Sequence, residues 1–151
     1  MLNKALQFLS EHNEIALATC QGSLPKLRMF QIMRQQGNVL YFATSAKKAI
    51  WQELQENPNV ELLAYADNVS VRCSGMVNFY VSDDVKRWIF DHNAVLSRLY
   101  TSYDQLEYFC LPIAELDYFD LSPTPPINQH FDLMEGAMNN GFVGKRFRNS
   151  Q

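Results

Sequence analysis

The sequence predicts an α+β domain that is mainly β: six antiparallel strands that close, or nearly close, into a barrel with helices at its periphery. Three observations predict it. Short segments rich in apolar, β-branched and aromatic residues recur along the chain, turn signals such as Gln21-Gly22-Ser23, Gln36-Gly37-Asn38 and Asp67-Asn68 separate them, and two or three stretches of helical spacing are inserted between them. A length of 151 residues suits one core, because a second would leave each too small. We therefore expect one domain over 1–151, with 122–151 as a C-terminal arm.

Taken in order, Leu2, Ala5, Leu6 and Leu9 fall at helical spacing and predict an amphipathic helix over 2–11. Residues 15–20 and 26–34 then form a hairpin around Gly22, with Leu27, Met29 and Gln31 on one face of the second strand. A third strand covers 39–43, and a helix covers 45–55 with Ile50 and Leu54 on one face, ended by Asn57-Pro58. Strands over 60–67 and 70–81 flank the Asp67-Asn68 turn, and the second is long enough to need a bend, for which Gly75 is the place. Asp83-Asp84 opens a helix presenting Val85, Trp88 and Ile89, a further helical turn lies around 96–100, and the last strand runs over 109–121, broken near Pro112.

Composition narrows the function classes. Apolar residues make up 47% of the chain and aromatics 13%, enough for a core, yet no apolar run approaches the ~20 residues of a membrane span. The amino terminus lacks a basic segment followed by an apolar one, so a cytoplasmic protein is expected. Cys20, Cys73 and Cys110 are odd in number and widely spaced, which predicts reduced thiols and no metal site. A net charge of −3 excludes a broad nucleic-acid surface and leaves room only for a local basic site.

One segment carries that local site. A helix dipole favours acidic residues at its start and basic ones at its end, and the helix predicted from Ser45 does the reverse, with Lys47 and Lys48 first and Glu53 and Glu56 last. A bound anion would remove the conflict at the start, where free N–H groups and the hydroxyls of Thr44 and Ser45 also favour phosphate. A Ser or Thr cap followed by two solvated lysines accounts for the same residues and stays open at this point. Arg28, on the preceding hairpin between Leu27 and Met29, is placed by antiparallel pairing where a guanidinium would fork onto the same phosphate.

At these residues the sequence resembles the pyridoxamine 5′-phosphate oxidase-like family of FMN-binding split β-barrels. The likeness runs in order through Arg28-Met29-Phe30, Tyr41-Phe42-Ala43-Thr44-Ser45, Lys47-Lys48, Glu56-Asn57-Pro58-Asn59-Val60 and Ser74-Gly75, and covers roughly residues 5–120. It implies a six-stranded split barrel that binds FMN, with Arg28, Ser45, Lys47 and Lys48 on the ribityl phosphate. It also implies that the backbone around Met29, Phe30, Ala43 and Thr44 borders the flavin ring. Because the family holds its flavin in a homodimer interface, the partner chain would contribute residues around Ser70 and Arg72.

The implied function is an FMN-dependent oxidoreductase acting on a small organic molecule, with no side chain needed as catalyst. The alternative is a flavin- or haem-binding protein for storage or sensing. The oxidase that names the family ends in an arginine and histidine segment gripping the substrate phosphate, whereas this tail offers Lys145-Arg146-Phe147-Arg148, which argues against that substrate. His12, His92 and His130 stand alone, and only His130, in the tail, is kept in view. Phe131, Leu133, Met134, Phe142, Val143 and Phe147 make the tail too apolar for a free linker, so it is expected to fold back on the barrel or across the dimer, bringing Arg146 or Arg148 near the flavin.

Overall fold

Alternation of side chains along each strand decides which face of each sheet is buried. A computed structural model describes residues 1–134 and the backbone of 137–140. The first helix, α1 (Leu2–Glu11), inserts Ala5 and Leu9 fully into the core. Strands β1 (Glu14–Gln21) and β2 (Leu24–Gln31) pair antiparallel around Gly22, whose φ of +61° is a conformation glycine adopts without strain. Along β1, Ile15, Leu17 and Thr19 point inward and are buried.

The strand expected over 26–34 is two strands in two sheets. After Gln31 the chain turns inward, Ile32 is buried with its N–H bonded to the Asn13 carbonyl, and Met33 joins Tyr41 in the other sheet. Strands β3 (Arg34–Gln36) and β4 (Val39–Thr44) follow around Gly37, and β5 (Asn59–Ala66) and β6 (Val69–Met76) flank Asp67-Asn68, both at positive φ as a tight hairpin turn requires. The expected strand over 70–81 also divides, because the chain crosses between sheets after Met76 and Asn78 bridges Cys110. Gly75 sits at that crossing: a Cβ there would lie 2.8 Å from the Pro112 carbonyl oxygen, so only glycine lets the two sheets approach.

The helix expected from Ser45 begins later, as α2 (Ala49–Glu56). Ser45 instead forms a turn: its hydroxyl accepts from the Lys47 N–H and its carbonyl from the Lys48 N–H, leaving Lys48 as an extended N-cap. Helix α3 (Asp83–Asp91) begins as expected, with the Ser82 hydroxyl accepting from the Val85 N–H and Asp83 and Asp84 in the first turn. Helix α4 (Ala94–Leu99) is capped by Asn93. The last expected strand is β7 (Glu107–Pro112) and β8 (Glu115–Asp120) in different sheets, and β9 (Ile127–Asp132) and β10 (Ala137–Asn140) add to the second of these.

Ten strands among the described residues thus stand where six were expected, in the architecture the sequence predicts: mainly β, antiparallel, a split barrel with peripheral helices. The larger sheet runs β10-β9-β8-β6-β5-β1-β2 and the smaller β3-β4-β7. Their facing sides enclose Leu17, Leu40, Phe42, Leu62, Val71, Phe109 and Leu111, with the Phe42 and Phe109 rings stacked at 5.0 Å. A second cluster, including Ala43, Ile89, Leu96, Leu106 and Tyr108, joins the smaller sheet to α3 and α4. The tail folds back as far as it is described, since β9 extends the large sheet and buries Phe131, while residues 141–151, with Phe142, Val143, Arg146, Phe147 and Arg148, lie outside the described residues. No helix among the described residues is long and apolar enough to cross a membrane.

Candidate functional site

Three segments that are distant in sequence meet to enclose a cavity of about 450 Å³, within the range typical of small-molecule sites. Strand β2 contributes Arg28, Met29 and Phe30, the end of β4 contributes Ala43 and Thr44, and the following turn contributes Ser45 and Lys48. Seven of the ten residues expected at the site therefore line one cavity. Lys47, on the outer side of the turn, is exposed and does not line it. Ser70 and Arg72 lie on β6, three strands from β2, and do not line it either.

The polar part of the wall is electropositive. Helix first-turn N–H groups lack intrahelical partners, no side chain caps those of α2, and Ala49 and Ile50 of that turn line the cavity. The positive dipole end, Lys48 and Arg28 all bear on the same space. Thr44 is 4% exposed, and its Oγ1 is buried without a hydrogen-bond partner among the described residues. Buried hydroxyls are seldom left so, and this one keeps its capacity to donate and accept on the cavity wall.

Arg28 is held more firmly than its sequence position reveals. Its Nη1 donates to the Thr19 hydroxyl at 2.8 Å and to the Leu17 carbonyl at 3.2 Å, and its Nη2 donates to Glu53 Oε1 at 2.7 Å. The Thr19 hydroxyl in turn donates to the same Glu53 oxygen at 2.6 Å. Glu53, which the dipole argument set at the unfavourable end of the helix, thus has a partner of its own. It is buried under α2 and neutralised by Arg28.

The apolar part of the wall escaped sequence reasoning. Val95, Leu96, Leu99 and Tyr100 of α4 and its C-cap, with Leu106, complete the cavity. Their apolar spacing marked a helical turn, but nothing local shows that it packs over β4. A second cavity, of about 560 Å³, is lined by Glu61, Glu115, Ser74, Gly75 and Met134 with no lysine or arginine among its described residues, a setting that repels phosphate. Among the described residues no group of three or more His, Cys, Asp or Glu is placed to hold a metal ion.

His130 sits outside the cavity on the large sheet, with Nδ1 2.7 Å from Asp117 Oδ1 and Nε2 3.0 Å from Glu115 Oε1. Arg72 reaches Asp117 at 3.1 Å and Glu61 at 3.5 Å. These groups form one polar ladder across β5, β6, β8 and β9.

Comparison with known proteins agrees with this architecture. A protein from Clostridium acetobutylicum related to general stress protein 26, of the pyridoxinephosphate oxidase family, superposes with a TM-score of 0.72 at 13% identity, over 90% of this chain and 96% of that one. A pyridoxamine 5′-phosphate oxidase-related, FMN-binding protein from Nostoc punctiforme gives 0.71 at 16% identity over 91% and 90%. A heme binding protein from Mycobacterium smegmatis gives 0.64 at 14% identity over 78% and 53%. At such identities the likeness speaks for the fold alone. Comparison with curated protein sequences gave no match. The family model described as pyridoxamine 5′-phosphate oxidase matches residues 1–126, a span that includes every residue of the cavity wall, and by that match this chain belongs to the pyridoxamine 5′-phosphate oxidase family.

Proposed function

We propose that this chain is a cytosolic FMN-binding protein that works as a homodimer and uses the flavin to oxidise or reduce a small organic molecule. The observation that carries the proposal is the convergence on one cavity of Arg28, Ser45, Lys48 and, among the described residues, the uncapped start of α2 and the partnerless Thr44 hydroxyl. These residues fit a ligand with a phosphate and a flat, largely apolar body. Arg28, Ser45, Lys48 and the first N–H groups of α2 would hold the phosphate, while Met29, Phe30, Ala43 and Thr44 would border the ring and α4 would exclude water from it. Lys47 would add charge at longer range. Bound FMN supplies hydride or electron transfer, and the chain supplies position and electrostatics.

The homodimer is supported by the outer face of the large sheet, where Leu27, Met29, Leu63 and Tyr65 are 71, 67, 45 and 65% exposed around the small Ala16 and Ala18. An apolar patch of that kind is the signature of an interface. Ser70 and Arg72 follow along the same face and would reach the partner's flavin. Haem is the second reading, supported by the M. smegmatis neighbour. The cavity offers the thioethers of Met29 and Met33 but, among the described residues, no histidine or cysteine, so FMN is favoured.

The absorption spectrum of the purified protein separates the two, with the paired bands of a flavin expected and a Soret band overturning the choice. Titration of the apoprotein then tests the site. Lys48→Glu is expected to weaken FMN about a hundredfold, the scale of one lost charge-assisted contact plus repulsion, while Lys47→Glu costs only a few-fold. Equal effects would show that the phosphate lies outside the cavity. Reduction of the bound flavin by a nicotinamide nucleotide would support turnover over storage.

A further inference from the structure

Glu53 presents a paradox that the fold alone does not explain. Its neighbours on the buried face of α2 are Ile50 and Leu54, and an apolar residue at 53 would pack there without the cost of taking a carboxylate out of water. That carboxylate also lies beside a cavity whose other charges are positive, where it opposes the binding of any anion.

The hydrogen bonds supply a reason. A guanidinium carries five N–H donors in a rigid fork. Two of those on Arg28 go to Leu17 and Thr19 and one to Glu53, so Nε–H and one Nη2–H have no protein partner among the described residues, and the side chain, 26% exposed, lines the cavity. Thr19 has a single hydroxyl proton, which it gives to Glu53, so it can only accept from Arg28. The arrangement fixes the plane of the guanidinium before any ligand arrives. A free arginine would lose its rotamer freedom on binding, whereas a clamped one has lost it on folding.

We propose that Glu53 is a positioning residue for the anion site, acting through Arg28 with Thr19 as the third member of the clamp, and that it gives this chain its preference for phosphorylated flavin over the unphosphorylated form. The proposal rests on the FMN reading above. Glu53 itself touches no ligand. Its favourable influence on binding therefore vanishes when Arg28 is absent, and only its repulsion of the anion remains.

The test is a titration of apoprotein with FMN and, in parallel, with riboflavin, which lacks the phosphate. Glu53→Met keeps the volume of the side chain and removes the acceptor; it is expected to weaken FMN by about tenfold, the scale of one ordered charge-assisted hydrogen bond, and to leave riboflavin within about twofold. Glu53→Gln keeps an acceptor oxygen for Arg28 and is expected to restore FMN to within about threefold of wild type. In an Arg28→Ala background, Glu53→Met is expected no longer to weaken FMN, which it leaves unchanged or strengthens by relief of charge repulsion, and to leave riboflavin unchanged. Should Glu53→Met fail to fold, Thr19→Val removes the third member of the clamp with little change of shape and is expected to lower the FMN-to-riboflavin ratio in the same direction. Equal losses for both flavins, or a weakening of FMN by Glu53→Met that persists without Arg28, overturn the positioning role while leaving FMN binding intact. Absence of FMN binding by the wild-type chain overturns the flavin reading and this proposal together.

Discussion

The two faces of the large sheet each carry an arginine paired with carboxylates, and they carry them differently. On the inner face Arg28 is tied to β1 and α2 by bonds of 2.7 to 3.2 Å, and the Glu53 side chain is 7% exposed. On the outer face Arg72 is 54% exposed and reaches Glu61 at 3.5 Å and Asp117 at 3.1 Å. The inner pair joins elements that are far apart in sequence and frames a cavity. The outer pair joins neighbouring strands already held by their backbone ladder. Similar ion pairs thus have different consequences: removing one partner from a dry site strands a charge, whereas water readily replaces a partner at the surface.

Thiol protection gives the largest contrast between the faces. Cys73, next to Arg72 on β6, points inward and is fully buried, while Cys20 on β1 points outward and is partly exposed. Burial, with the Asp117 charge adding to it, pushes the Cys73 thiol well above its ordinary range, while burial raises the Cys110 thiol against a hydrogen bond at Asn78 that lowers it. The Cys73 thiol so raised yields no thiolate at mildly alkaline pH, and the Cys110 thiol is shielded by burial. In native protein at pH 8 to 9, Cys20 is expected to react with an alkylating reagent about a thousandfold faster than Cys73 or Cys110, whose modification waits for unfolding. Mass spectrometry of timed samples measures this, and early modification of Cys73 would show that the large sheet opens readily.

Next in size is the stability carried by the inner clamp. Arg28→Met leaves Glu53 and Thr19 without their cation, and loss of one partner from a buried pair costs about 3 kcal/mol. Urea denaturation of the flavin-free protein should show that loss. A change below about 1 kcal/mol would mean that water reaches Glu53 and that the clamp is looser than its distances imply.

The inner and outer faces also differ in how far the sequence discloses them. The extents of β1 and β5 were legible to within a residue at each end, as were the Gly22, Gly37 and Asp67-Asn68 turns and the extent of α1. What was not legible is where a strand changes sheets. At Ile32-Met33, Met76-Val77 and Ile113-Ala114 the pattern stays apolar, and strand continuity ends because the partner strand changes, which is a tertiary event. The site divides likewise. Arg28, Thr44, Ser45 and Lys48 announced themselves by charge and motif, but Glu53 meets Arg28 only through the docking of α2, and the α4 wall only through the packing of the smaller sheet. The start of α2 was misplaced by four residues because the Ser45 hydroxyl closes a turn where a helix cap was expected.

The smallest stability effect belongs to Arg72. Its contacts with Glu61 and Asp117 are exposed ion pairs, which contribute about 0 to 1 kcal/mol, and Asp117 keeps His130 as a partner when they are gone. Arg72→Ala is therefore expected to lower stability by less than about 1 kcal/mol in dilute buffer and by almost nothing near ~0.5 M salt, where the screening length falls to a few ångströms. A loss as large as that of Arg28→Met would show the outer face to be as dry as the inner one. The same variant probes the proposed homodimer through binding. If Arg72 of the partner subunit reaches the cavity, FMN affinity falls by about threefold to tenfold, since a donor to the ligand is lost. Measured in one protein sample, a small change in urea midpoint beside a clear change in FMN affinity would assign Arg72 to the ligand, and unchanged affinity would remove β6 from the site.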